Sequence, residues 1–207
     1  MDKKNTEALE VLKKHQAILS DGHFIYTSGK HGSHYVNKDA IYPHIDAISK
    51  LCEAMSEGFS KDSVDVVLGP ALGGIVLSQW TAFHLSKMTK KEVLAVFAEK
   101  LENGEFAIKR GYDQIIRGKR VLIVEDILNT GGSAKKIVEL VKKSGAELVG
   151  VSVLCNRGNV TAKELGTSAK LNSLVNLDFK AWDAAECPLC KKGVPINKSL
   201  GKGKIEA

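Results

Sequence analysis

The chain has 207 residues, of which 43% are hydrophobic and 26% are charged. This is sufficient for one domain with a sizeable core and too short for two full-sized domains. No apolar run approaches the roughly 20 residues of a membrane span, and the charged N-terminus lacks the apolar segment of a signal peptide, so we expect a cytoplasmic protein without membrane partners.

The net charge is +6 and the isoelectric point is about 9.0. Such a balance is compatible with nucleic acid, an anionic membrane or small anionic substrates. The lysines are dispersed as pairs, without a long basic block or a basic stripe interleaved with aromatic residues. We therefore expect small anionic substrates and no nucleic-acid partner.

Hydrophobic periodicity predicts helices and short strands in alternation. An amphipathic helix is predicted over Thr6–Leu19, strands joined by turns over Phe24–Asn37, and a second helix over His44–Phe59. Further along the chain, the pattern predicts strands at Val64–Leu68, Val93–Ala98, Val121–Val124, Glu147–Leu154 and Leu174–Leu177, with helices at Gly74–Leu85 and Ser133–Ser144. This order predicts an α/β fold, in which a central, mostly parallel sheet carries helices on both faces.

Four cysteines are present, and only Cys187 and Cys190 form a CxxC motif. A zinc site needs about four ligands, and neither a second CxxC motif nor a nearby histidine pair accompanies this one. A thioredoxin-like context for a redox motif is also missing. We interpret the motif as a tight turn with two small buried thiols, with metal or redox chemistry as the alternative.

Two adjacent carboxylates, Glu125 and Asp126, follow the predicted strand Val121–Val124. Ligands of open α/β sheets bind at the carboxyl ends of the strands, where these acids are expected. Like charges repel, so the acids are unsuited to a phosphate. They are suited to ribose hydroxyls, a metal-bridged sugar or a cationic transition state.

The next segment leads into a helix and consists of Asn129, Thr130, Gly131, Gly132 and Ser133. Two glycines let backbone N–H groups converge, the hydroxyls add donors, and the helix start contributes its positive dipole end. A sugar phosphate satisfies both the acids and this loop. The segment matches neither the GxxxxGK[ST] pattern nor GxGxxG. An ordinary strand–turn–helix is the alternative interpretation.

The segment Val121–Ser133 resembles the signature by which type I phosphoribosyltransferases bind phosphoribosyl diphosphate (PRPP). The similarity extends over most of the chain and is greatest to the orotate-using members. It implies a single domain over residues 1–207, with a core at about 60–160 and a small hood from about 20–45 and 170–207. It also implies a homodimer.

Three further segments share this resemblance. Gly22–Asn37 is similar to a base-binding segment, which implies base contacts from Phe24, Thr27 and Lys30. Gly69–Ile75 is similar to a diphosphate loop, with backbone donors at Ala71, Leu72, Gly73 and Gly74. Phe97–Gly111 resembles a shortened catalytic loop, in which Lys100 would neutralise charge on the leaving diphosphate, with Lys109 and Arg110 as further candidates.

The resemblance implies transfer of the phosphoribosyl group of PRPP to orotate, giving orotidine 5′-monophosphate and diphosphate in pyrimidine (UMP) biosynthesis. Glu125 and Asp126 would stabilise the sugar cation, and Arg157 would bind the orotate carboxylate. Mg²⁺ is the implied cofactor, held mainly by substrate and water. An ordinary ion pair is the alternative role for Arg157.

Two other functions stay open. One is a phosphoribosyltransferase that salvages a purine or uracil. The other is a non-catalytic PRPP-binding regulator that acts on nucleic acid. The net charge favours it, and so do Thr27 and Gly73, which stand where relatives often have a lysine. The lack of a recognisable nucleic-acid-binding appendage argues against the regulator.

Overall fold

The computed structural model describes residues 3–26 and 28–201. The chain forms two compact units. The first contains the described residues of Met1–Leu9 and His44–Leu177, and the second contains those of Glu10–Pro43 and Asp178–Ala207. Within the described residues, every helix is too short or too polar to cross a lipid bilayer.

The regular elements are as follows. The helices are α1 (Lys3–Lys14), α2 (Ile45–Glu57), α3 (Gly73–Thr89), α4 (Tyr112–Ile116), α5 (Gly132–Lys143) and α6 (Pro188–Lys191). The strands are β1 (Ile18–Leu19), β2 (Phe24–Ile25), β3 (His31–Gly32), β4 (Tyr35–Val36), β5 (Val66–Pro70), β6 (Leu94–Lys100), β7 (Phe106–Ala107), β8 (Arg120–Leu128), β9 (Glu147–Asn156), β10 (Lys170–Asn176) and β11 (Ala181–Trp182).

The first unit is built on a six-stranded sheet in the order β10-β9-β8-β5-β6-β7. All neighbouring strands are parallel except β7, which pairs antiparallel with β6. Parallel neighbours need crossover connections, and α3 and α5 supply two of them. The predicted α/β fold with a mostly parallel sheet is therefore confirmed.

Helices cover both faces of this sheet. Val121 and Ile123 of β8 pack in one cluster with Ile137 and Val141 of α5. The intervening Leu122 is equally buried, and alternation along a strand points its side chain to the opposite face. On that face the Ser152 hydroxyl of β9 donates a hydrogen bond of 3.1 Å to the Met55 carbonyl of α2. The apolar runs that look continuous in sequence are strands buried on both sides.

The second unit combines segments from both ends of the chain. A three-stranded antiparallel sheet has the order β11-β3-β2, and β1 pairs with β4. The expected C-terminal hood segment, 170–207, starts too early, because Lys170–Asn176 forms β10 of the central sheet. Pairing with β9 buries Leu174 and Val175 there, so the second unit resumes at Asp178.

The first predicted helix is shorter than expected. Helix α1 ends at Lys14, and the chain adopts a φ of 56° at Gln16. The prediction of helix to Leu19 is wrong because Ile18 and Leu19 form β1 and pair with Val36 and Tyr35. Both apolar residues match the helical periodicity, but in the structure they belong to a strand, in which only Ile18 is fully buried.

The four cysteines have different environments. Cys52 and Cys155 are buried, and burial raises the pKa of each thiol to about 12, so both stay protonated at neutral pH. Cys187 is buried, whereas Cys190 is exposed. The expectation of two buried thiols is therefore wrong for Cys190, which lies on the one-turn helix α6.

Gly150 provides a test of the packing of this sheet. An added Cβ would lie 2.4 Å from Phe59 Cε1 and 2.7 Å from the Lys170 carbonyl oxygen. We expect Gly150→Ala to lower the free energy of unfolding by about 1–3 kcal/mol, because the neighbouring strand cannot retreat cheaply. Urea unfolding measures this difference.

Gly132→Ala is the matched control, since its Cβ would meet only Thr130 Oγ1, at 3.6 Å. It should leave stability unchanged or raise it, because alanine favours the helical conformation more than glycine does. Equal urea midpoints for the two variants would contradict the packing described for β9.

Candidate active site

The candidate site lies at the carboxyl edge of the parallel strands in the first unit. Strands β5, β6, β8 and β9 run in one direction, so the segments that follow them emerge at the same edge. Pro70 is paired with Ala98, and Leu128 is paired with Asn156. This pairing brings four predicted site features to one side of the sheet: the predicted diphosphate loop (Ala71–Gly74), Lys100, the predicted phosphate loop (Asn129–Ser133) and Arg157.

The acids Glu125 and Asp126 lie within β8, not after it. We expected the strand to end at Val124, but pairing with β9 continues to Leu128. Both residues are buried, at 6% and 5% exposure. Glu125 Oε1 accepts the Asp126 N–H at 3.1 Å, and Asp126 Oδ1 accepts the Ile127 N–H at 2.7 Å. Backbone donors thus offset part of the cost of burying two carboxylates.

The phosphate loop follows directly. Asn129, Thr130, Gly132 and Ser133 are exposed, and α5 begins at Gly132. Gly131 has a φ of 73°, and a Cβ there would lie 2.8 Å from Leu165 and 2.9 Å from Val160. Glycine is therefore required by both conformation and space. The turn presents the first N–H groups of α5, which lack helical partners, at the ligand edge.

The segment after β9 is fixed against this loop. The Leu128 carbonyl accepts the N–H groups of Arg157 and Gly158, at 2.8 and 3.1 Å. A Cβ on Gly158 would lie 1.6 Å from the Asn129 carbonyl oxygen, so only glycine permits this approach. The Asn156 side chain closes the turn by hydrogen bonds of 2.8 and 3.0 Å to the Val160 backbone. Arg157 therefore has a defined position beside the phosphate loop.

Asp126 and Arg157 belong to the same electrostatic environment. Burial is the main cause of the high pKa of the Cys155 thiol, and the opposite charges of Arg157 and Asp126 act on it with opposite signs. Cys155 lies directly opposite Ile127 in the β8–β9 register. Both charges therefore lie within electrostatic range of Cys155, near the end of β9.

The diphosphate loop is compact because two glycines meet. A Cβ on Gly69 would lie 2.3 Å from the Gly74 carbonyl oxygen. The peptide bond between Ala71 and Leu72 is cis. The Ala71 N–H donates to the Ala98 carbonyl at 2.8 Å. The Ala71 N–H is therefore already used in a hydrogen bond to β6. This corrects the prediction that it donates to the diphosphate. The start of α3 at Gly73 and the exposed Leu72 form the part of the loop that faces solvent.

Lys100 ends β6, where the chain turns into a short hairpin with β7. Glu99 forms ion pairs with Lys109, at 3.8 Å, and with Arg110, at 2.6 Å. Within the described residues Lys100 has no such carboxylate partner, so it remains the better candidate cation. Lys100 lies two strands from β8, which separates their backbones by about 10 Å.

The predicted base contacts of the N-terminal segment lie in the second unit. Phe24 is 2% exposed, and its ring stacks on Tyr35 with centroids 5.4 Å apart. This burial corrects the expectation of a base contact, because the ring is part of the packing of its own unit. Lys30 is exposed and lies 3.6 Å from Asp183. Thr27 lies outside the described residues.

Comparison with known proteins places the chain in a family. A phosphoribosyl transferase domain matches residues 38–187. An orotate phosphoribosyltransferase of Pelotomaculum thermopropionicum is 38% identical, over 96% of this chain and 98% of that protein. One from Caldanaerobacter subterraneus subsp. tengcongensis is 35% identical, over 93% of this chain and 95% of that protein.

A solved structure is similar in fold. The orotate phosphoribosyltransferase of Mycobacterium tuberculosis, crystallised with PRPP, superposes with a TM-score of 0.61 at 21% identity, over 86% of this chain and 91% of that chain. The domain match and the near-full-length relatives show that the chain belongs to the type I phosphoribosyltransferase family, where it is most similar to the orotate phosphoribosyltransferases.

Proposed function

We propose that this protein transfers the phosphoribosyl group of PRPP to orotate, releasing diphosphate and forming orotidine 5′-monophosphate. The observation that carries the proposal is the connection from β8 to α5, in which two buried carboxylates precede a glycine turn and an exposed helix start. This arrangement provides separate partners for the two ends of a ribose 5-phosphate.

The donor half of the site suits the 5′-phosphate. The N–H groups at the start of α5 and the hydroxyls of Thr130 and Ser133 can donate to phosphate oxygens, and Asn129 can add its amide. The positive end of the α5 dipole favours a dianion at this position. Holding the phosphate fixes the ribose along the edge of β8, where the acids lie.

The carboxylate half acts on the sugar. Departure of diphosphate from C1 leaves an oxocarbenium-like ring, which resembles the cation formed in glycoside cleavage. We assign Glu125 and Asp126 to the 2′- and 3′-hydroxyls and to stabilisation of this positive charge. Because both groups are buried, their interaction with the cation is screened less than it would be in water. The reaction needs no covalent nucleophile, which is consistent with protonated thiols at Cys52 and Cys155.

Arg157 is assigned to the base. A guanidinium binds a carboxylate through two parallel hydrogen bonds, and orotate differs from uracil by its carboxylate. Two hydrogen bonds to Leu128 fix the backbone of residues 157 and 158 beside the phosphate loop. A base bound there would attack C1 of the same sugar.

Mg²⁺ fits this edge of the sheet, because carboxylate oxygens are the ligands it prefers and it retains water readily. Glu125 and Asp126 are the residues that would approach it, directly or through water. When bound, Mg²⁺ would neutralise charge on the diphosphate. We therefore expect EDTA to abolish turnover.

We also propose that the protein forms a homodimer, in which Lys100 acts at the active site of the neighbouring protomer. The position of Lys100 at the end of a short hairpin supports this role. Lys136 holds that hairpin by bonds of 2.9 Å to the Gly104 carbonyl and 2.7 Å to Glu105. Sedimentation equilibrium at assay concentrations distinguishes a dimer from a monomer.

A panel of bases tests the specificity. With PRPP and Mg²⁺, we expect orotate to be consumed and adenine, hypoxanthine, guanine and uracil to be left unchanged. The loss of orotate absorbance measures the first, and chromatography of nucleotides measures the others. Turnover of a purine without orotate would overturn the specificity but retain the class. Salt-sensitive nucleic-acid binding with no diphosphate release would overturn both.

Asp126→Asn tests the role of the acids. The substitution keeps the shape but removes the charge, so we expect kcat to fall by about 100- to 1,000-fold. The thermal midpoint should stay close to that of the wild type. Asp113→Asn, on the exposed side of α4, is the matched control and should keep full activity. An unchanged kcat in Asp126→Asn would remove the assigned role.

Arg157→Gln tests recognition of the base. Loss of a charged pair of hydrogen bonds costs about 1.5–3 kcal/mol, so the KM for orotate should rise about 10- to 100-fold. The KM for PRPP should change little, and Arg117→Gln, an exposed control after α4, should change neither. Equal increases in both KM values would indicate that Arg157 positions the phosphate loop instead.

A further inference from the structure

Four potential metal ligands meet within the second unit, and none of them is among the residues assigned to PRPP. They are His23, His31, Cys187 and Cys190, and one ligand atom from each lies within 4.8 Å of all the others. Two come from the N-terminal segment and two from the CxxC motif near the C-terminus. We propose that this cluster is a structural zinc site of the Cys₂His₂ type.

The distances fit a tetrahedral ion. With Zn–N near 2.0–2.1 Å and Zn–S near 2.3 Å, ligand atoms on a tetrahedron are separated by roughly 3.3–3.8 Å. Cys190 Sγ lies 3.3 Å from His31 Nδ1 and 3.7 Å from His23 Nε2. Cys187 Sγ lies 3.8 Å from His23 Nε2. The two ring nitrogens, 2.8 Å apart, need to separate by about 0.5 Å around the ion.

The orientation of His23 is the one that a ligand requires. Its Nδ1 lies 2.7 Å from the Val194 carbonyl, which can only accept a hydrogen bond. In the neutral ring Nδ1 therefore carries the proton, and Nε2 presents a lone pair to the cluster. Metal-bound histidines characteristically donate their other N–H to an acceptor of this kind. His31 is then required to present Nδ1 and carry its proton on Nε2.

The local fold explains how distant residues meet. His31 lies in β3, which pairs with β2 on one side and with β11 on the other. His23 directly precedes β2. Cys187 is the N-cap of α6 and Cys190 lies within its single turn, three residues later, which places both thiols on one side of the helix. The CxxC spacing is typical of structural zinc sites.

The unit also has a reason to need a metal. The five strands described in this unit contain two residues each, and the unit comprises fewer than ~70 residues. Units of this size rarely obtain enough stability from a hydrophobic core alone and often rely on a disulfide or metal. Four protein ligands complete the coordination, so the site is structural and has no open position for substrate. Binding converts two thiols to thiolates and releases two protons.

The test uses the full-length protein, purified without an affinity tag that binds metal. We expect one zinc per chain after dialysis, measured by elemental analysis, and a lower thermal midpoint after chelation. Replacement by Co²⁺ should give the intense visible bands of a tetrahedral site and a thiolate charge-transfer band. These measurements need no substitution.

Cys190→Ser is the variant of choice, because the residue is exposed and the substitution removes a ligand without opening a cavity in the core. Loss of a residue that only hydrogen-bonds to a metal ligand typically lowers metal affinity by roughly 10–100-fold. Because Cys190 is a direct ligand in this proposal, we expect Cys190→Ser to lower zinc affinity by more than that. Cys52→Ala is the matched control and should retain one zinc. The proposal is overturned if the wild type holds no more zinc than Cys190→Ser, if Co²⁺ gives no thiolate band, or if Cys187 and Cys190 form a disulfide under conditions that supply zinc.

Discussion

At Gly131 the chain leaves β8 and enters α5 with a φ of 73°, and the side chains of Val160 and Leu165 fill the space that a Cβ would need. This contact determines where the first turn of α5 begins and which N–H groups face the ligand edge. The Leu128 carbonyl, three residues earlier, holds the segment that follows β9. The phosphate loop and Arg157 are therefore fixed by one set of contacts, and neither could move without disturbing the other.

The charge arrangement around this turn is unusual for a simple anion site. A helix start that favours an anion stands a few residues from two carboxylates with 5–6% exposure. A phosphate alone would not benefit from those acids, and a cation alone would not benefit from the helix. A ligand with a phosphate at one end and a developing positive charge at the other satisfies both. This is the physical basis on which the proposed reaction rests.

The second unit depends on contacts between the two ends of the chain. Its strands are too short to supply many backbone hydrogen bonds, and β11 joins β3 through two residue pairs. A zinc ion held by two ligands from each end would provide the strong link that this pairing lacks. Phe24 illustrates the same need for internal packing, since its ring is buried against Tyr35.

The sequence by itself determined the features that are local. The apolar runs, the paired glycines and the acids before them predicted the parallel sheet, the glycine turn and the start of α5. The tertiary structure decided what depends on partners far along the chain. Pairing with β9 extends β8 through Glu125 and Asp126, although charged residues usually signal the end of a buried strand. Pairing with β4 turns Ile18 and Leu19 into a strand, and packing on Tyr35 buries Phe24.

The four proposed zinc ligands show this limit most clearly. His23 and Cys187 are 164 residues apart, and neither position has a neighbour in sequence that completes a ligand set. Periodicity and spacing report on contacts between residues that are close along the chain. A site built by strand pairing between the two termini becomes visible only when the chain is folded.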